Sequence, residues 1–115
     1  MHNMHSVTNS RMLIMGLMLL ASTSLHAQSP GEKLFLQNCA VCHAADGGGA
    51  MPGVQDLAGS PTWTKHSDKE ILTLVKQGIQ KPGAAIAMPP KGGNARLADN
   101  ELMEIISYMR AAFSK

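Results

Sequence analysis

The chain has 115 residues, 44% of them hydrophobic and 16% charged, with a formal net charge of +2. That length holds one domain, and the composition is that of a globular chain, not a disordered one. The charge is too small, and the lysines and arginines too scattered, to argue for a nucleic-acid partner.

The first segment reads as an export leader. Arg11 precedes the apolar run from Met12 to Ala21, and a more polar stretch ends in Leu25-His26-Ala27. These are the n-region, h-region and cleavage site of a signal peptide. A membrane span needs about 20 apolar residues, and the run is too short for that. The sequence therefore predicts a signal peptide over residues 1–27 and a mature domain over residues 28–115. The domain would be periplasmic, without stable membrane insertion after cleavage, in an oxidising compartment. Arg11 is the only Lys or Arg before position 28, so the mature domain carries one net positive charge. Phe35, Trp63, Tyr108 and Phe113 are its only aromatic residues. A domain this small needs a staple, a metal or a large apolar cofactor to complete its core.

Ser29-Pro30-Gly31-Glu32 has the form of a helix start, with Ser29 as N-cap and Pro30 in the first turn. The helix is expected to run into Cys39 and Cys42. Gly47-Gly48-Gly49 then forces a loop, which lacks the Gly-Lys-Ser/Thr of a phosphate cradle. Pro61 to Thr64 is a candidate helical turn. Ser67 to Glu70 has capping-box spacing, and Ile71, Leu72, Leu74, Val75 and Ile79 follow at helical intervals, with Gly78 as the stop. Lys81 to Gly93 holds too many prolines and glycines for a helix or a central strand. Leu102, Ile105, Ile106, Met109 and Phe113 mark one face of a last helix. It begins near Asp99, which is the expected N-cap because Ala98 has no capping side chain. With no period-two alternation, the reading is all-α: three main helices and long loops.

The chemistry concentrates in Cys39-Ala40-Val41-Cys42-His43, which holds both cysteines of the chain. On a helix, at about 100° per residue, both sulfurs and the imidazole project from nearly one face. This is the C-x-x-C-H pattern of covalent haem attachment, with two thioethers and a proximal histidine. A disulfide at i, i+3 would close a tiny loop and constrain little. A thioredoxin-like pair needs a βαβ setting. Zinc needs four ligands, and His66 is the lone nitrogen downstream. The second axial ligand decides between an electron carrier and a site open to gases or peroxide. The candidates are Met51, Met88, Met103, Met109, His66 and lysines. Met103 and Met109 lie on the last helix, where filling the core is the default role. Met51 is close to His43 in the chain. Met88, stiffened by Pro89 and Pro90, is the expected ligand.

CAVCH at 39–43, AMPPKGG at 87–93 and LMEIISYM at 102–109 together resemble a class I monohaem bacterial c-type cytochrome of the short soluble type with an MPP methionine loop. The resemblance runs from about Gly31 to Phe113. It implies a cytochrome c-like fold wrapped around one haem c, attached through Cys39 and Cys42 and ligated by His43 and Met88. It implies crossing terminal helices, with Gly31 and Phe35 meeting Ile105 and Tyr108. It also implies that the Pro52 carbonyl accepts the second His43 proton and that Trp63 donates to a haem propionate. Two further cysteines found after the glycines in some relatives are replaced here by Asn94-Ala95-Arg96-Leu97. The implied function is a soluble electron carrier, not an enzyme, with redox proteins as donor and acceptor. The alternatives are a small haem subunit of a periplasmic dehydrogenase and a haem peroxidase or gas-binding protein with a displaceable methionine. Lys81 and Lys91, flanking Met88, are candidates for a basic rim.

Overall fold

A computed structural model describes residues 25–115, so all but the end of the expected leader lies outside the described residues. The helices are α1 (Pro30–Asn38), α2 (Ala40–His43), α3 (Thr62–Lys65), α4 (Asp68–Gln77) and α5 (Asp99–Phe113). A tight turn spans Pro90–Gly93. Among the described residues the only β pairing is an isolated antiparallel bridge between Ile79 and Met88. The all-α reading holds, and α1, α4 and α5 are its three main helices.

Local chemistry sets the boundaries. Ser29 Oγ accepts the Glu32 amide at 3.1 Å, satisfying one of the orphan donors of the first turn. At α4, Ser67 and Glu70 complete a reciprocal capping box. Gly78, at φ 77°, ends that helix. Two expectations need correction. The first helix does not continue through the cysteines: it ends at Asn38, and α2 starts afresh after Cys39, whose φ is −119°. The Asn38 amide reaches back to the Leu34 carbonyl at 2.9 Å, a side-chain donor that competes with the helix at its end. At α5 the N-cap is Ala98, not Asp99. The Glu101 carboxylate, accepting the Ala98 amide at 2.9 Å, makes half a capping box without a capping side chain.

Helices α1 and α5 cross in contact. A Cβ on Gly31 would collide with the Glu104 carbonyl oxygen and come within 3.0 Å of Tyr108 Cβ; the glycine is what lets the backbones approach. Around the crossing, Phe35, Tyr108 and Phe113 form an aromatic triangle with centroids 5.5–5.9 Å apart. Such tilted and edge-on contacts add to the burial of the rings. Ile71 of α4, Trp63 of α3, Leu97 and the apolar face of α5 complete the buried set. Arg110 ties α5 to the segment around α3. Its Nε pairs with Asp68 at 2.6 Å, its two terminal nitrogens donate to the carbonyls of Trp63 at 2.5 Å and His66 at 2.8 Å, and its guanidinium lies over the Trp63 ring. A lysine cannot make that fork. Arg110→Lys is expected to lower unfolding stability by about 1–2 kcal/mol, read as a lower guanidinium midpoint with unchanged slope.

Candidate haem-binding site

The helices leave a cleft of two lobes, with volumes of about 810 and 760 Å³ including their open mouths. Cys39, His43, Gln55, Ile79, Met88 and Gly92 border both lobes. The second lobe is walled by Trp63, Ile71, Leu102, Ile105, Ile106 and Met109, all members of the buried core. The core side chains therefore face an opening shaped for a large apolar guest, the body that an aromatic-poor chain was expected to need.

The attachment turn is held from behind. The amides of Gly49 and Ala50 donate to the carbonyls of His43 at 2.8 Å and Cys42 at 2.7 Å, so the glycine loop folds back and satisfies the end of α2. Both cysteines are free thiols and half-buried. Burial, and then the neighbouring Cys42, pushes the Cys39 thiol up to about 11. A thiol held neutral in this way is a weak nucleophile. Among the described residues no group of three or more His, Cys, Asp or Glu is arranged to hold a bare metal ion. Burial lowers the His43 pKa, partly opposed by the backbone of Gln55, so the imidazole is neutral and able to ligate. Its Nδ1 is buried without a hydrogen-bond partner. An apolar cleft, two free thiols on its border and a neutral, under-bonded imidazole fit a covalently bound haem.

The other expected residues divide. Met88 borders both lobes, and its backbone is fixed on both sides, exchanging two hydrogen bonds of 2.9 Å with Ile79. Met51 is exposed and Met103 packs against the core. Met109 is buried in that core and His66 is exposed. Pro52 is exposed and makes no hydrogen bond with the His43 ring. The turn closed by the Val54 amide on the Met51 carbonyl carries the chain past the ring, and it is Gln55 whose backbone acts on it. The Trp63 indole N–H donates to the Leu57 carbonyl at 2.6 Å, so it is a core tryptophan with its donor already used. The basic rim is also revised. Lys91 is half-buried and donates to the Leu97 carbonyl at 2.8 Å, and Lys81 donates to the Gln55 side chain at 2.9 Å. Sequence reasoning missed Gln55 and Ile79. Only the pairing of Ile79 with Met88 could have pointed to Ile79, and a single bridge leaves no alternation to read.

A family model described as cytochrome C oxidase, cbb3-type, subunit III matches residues 26–109. The chain belongs to this family of c-type cytochromes. It is 33% identical over 99 residues to cytochrome c-555 of Chlorobaculum tepidum, covering 84% of this chain and 88% of that protein. It is 33% identical over 85 residues to the cytochrome c subunit of a quinone alcohol dehydrogenase from Gluconobacter oxydans. The corresponding subunit of Komagataeibacter europaeus is 26% identical over 92 residues. This chain spans less than a fifth of the length of that subunit from either organism, 17% and 19%. The monohaem cytochrome c-like fold expected from the three motifs is thereby established, and the cofactor is one haem c attached at Cys39 and Cys42. The intact protein, from cells competent in cytochrome maturation, should be heavier by one haem and stain for haem on a denaturing gel. Cys39→Ala/Cys42→Ala should abolish the stain.

Proposed function

We propose that this cytochrome is an exported, periplasmic one-electron carrier, residues 28–115 after removal of a leader at Ala27, with His43 and Met88 as axial ligands. The haem supplies the one-electron chemistry. The chain's own residues ligate it, exclude water and keep the site from rearranging between redox states. Met88 carries the reading: of the methionine and histidine candidates, it alone joins His43 on the border of both lobes, and the Ile79 bridge holds its backbone in place before any ligand bond forms. The similarity to cytochrome c-555 over most of both chains supports a free carrier. Among the described residues no helix is long and apolar enough to cross a membrane. Its partners are then redox proteins that donate and accept single electrons across small, transient contacts.

A second reading comes from the similarity to the alcohol dehydrogenase cytochrome c subunits: the same domain serving as an electron relay within a dehydrogenase complex. Stable co-purification of the exported protein with a dehydrogenase would favour it. A displaceable methionine would instead make the site a peroxidase or gas-binding centre.

The ferric protein should show a low-spin spectrum with the weak methionine-to-iron charge-transfer band, unaltered on mixing with peroxide. Met88→Ala should give a high-spin form that binds cyanide without delay. Persistence of the band in that variant rules Met88 out. Gly78→Ala tests the support beneath the ligand. A Cβ there would lie 2.7 Å from the Met88 carbonyl oxygen and 2.9 Å from Pro90 N, at a φ of 77°. The backbone there, at φ 77° and ψ 165°, lies in a region essentially confined to glycine and alone costs roughly 1–3 kcal/mol for a residue with a Cβ. The variant is expected to weaken the band while the helical circular dichroism is retained.

A further inference from the structure

The bridge to Ile79 fixes the chain at Met88, but the residues after it have no comparable hold. Pro89 and Pro90 carry no N–H. The chain then turns through three successive left-handed residues, Lys91 at φ 53°, Gly92 at φ 63° and Gly93 at φ 90°. This reversal delivers Asn94 to Asn38, the residue immediately before Cys39. Asn94 Nδ2 donates to Asn38 Oδ1 at 2.8 Å, across 56 positions of sequence. It is the one side chain–side chain hydrogen bond among the described residues that joins segment 38–43 to segment 88–94.

Both amides are fixed in orientation by what else they bond. Asn38 Nδ2 donates to the Leu34 carbonyl, leaving its oxygen to accept. Asn94 Oδ1 accepts the Arg96 amide at 3.1 Å, leaving its nitrogen to donate. The Asn94 backbone N–H donates to the Lys91 carbonyl at 3.2 Å, closing the turn. At the same point a Cβ on Gly92 would stand 3.1 Å from the Asn38 carbonyl oxygen, so the two segments are in contact as well as bonded. Both asparagines are half-buried, where an unpaired amide costs more than one in water.

We propose that Asn38 and Asn94 are positioning residues that strap the methionine loop to the haem-attachment turn and so keep Met88 on the iron. The inference rests on Met88 being the ligand. The strap acts on the loop's exit, the Ile79 bridge on its entry, and with both in place the loop cannot swing away from the cleft.

The test uses the ferric holoprotein and its N94A, N38A, N38D and N38A/N94A variants. Two readouts are followed: the rate of imidazole binding at the iron, and loss of the methionine charge-transfer band on heating against loss of helical circular dichroism. Removing the strap should speed imidazole binding roughly fivefold to tenfold, the equivalent of one side-chain hydrogen bond. The band should disappear at a lower temperature than the helices. The double variant should be no faster than either single one, because the two residues act through one bond. N38D retains an acceptor for Asn94 Nδ2 and loses only the bond to the Leu34 carbonyl, so it should speed imidazole binding less than N38A does. If N94A does not accumulate with haem, N94D removes only the donor and should show the same acceleration. An unchanged imidazole rate in the Asn94 variant overturns the proposal, as does additive loss of band and helices together, which is the mark of a merely structural pair. A wild-type protein without the band, or a band that survives M88A, overturns the ligand assignment, and the strap with it.

Discussion

The side chains that make the core are also the side chains that wall the cleft. Ile71, Leu102, Ile105, Ile106 and Met109 pack against one another and at the same time border the second lobe. Burial of apolar surface is the main favourable term in folding, and these side chains are only 1–8% exposed. The haem extends that core across the lobe they border, and the thioethers to Cys39 and Cys42 make the extension permanent. This places the attachment turn under a strict demand: it must present two thiols and an imidazole to the same opening. The break at Cys39, with a fresh turn through His43, meets that demand independently of the direction of α1. The carbonyls it exposes are taken up by Gly49 and Ala50.

On the proposed ligation by Met88, the opposite demand falls on the methionine loop, which would hold a ligand in place with almost no regular structure. It does so with a few discrete devices. A glycine at 78 admits the loop against the end of α4, and a two-bond bridge sets Met88. Pro89 and Pro90 stiffen the chain beyond the ligand. The left-handed Lys91 is a cost, roughly 1–2 kcal/mol for a residue with a Cβ. Its ammonium, bonded to the Leu97 carbonyl, holds the strained turn against the start of α5. Strain retained beside a functional group is sustained by surrounding contacts that over-determine it, and here those contacts are specific hydrogen bonds.

What could be read from the sequence depends on the range of the interactions. Ser29, Ser67 and Gly78 act over three or four residues, and their roles were legible. The apolar faces of α4 and α5 were legible because periodicity is a local property. CAVCH was legible because its chemistry is contained in five consecutive residues. The break at Cys39 was not, since no glycine or proline marks it, and an asparagine bonded back to Leu34 leaves no pattern in the sequence. Trp63 and Pro52 were assigned by resemblance, and the structure places them otherwise. The donor of Trp63 is taken by Leu57, and the turn at Met51 to Val54 carries Pro52 past the imidazole. Such contacts link loops that have no pattern of their own, so only the folded arrangement reveals them.

The same dependence on internal contacts explains how one domain can match both a short cytochrome and a small part of a much longer chain. The matched span, residues 26–109, contains the α1–α5 crossing, the attachment turn, α4 and the methionine loop. Gly31 against Glu104 brings the beginning of the span to the side of its end. A domain closed in this way, with its ends near each other, can stand alone or be joined to others without disturbing its core. Its outer surface carries nearly balanced charge, so long-range steering is weak and partner choice falls to short-range contacts.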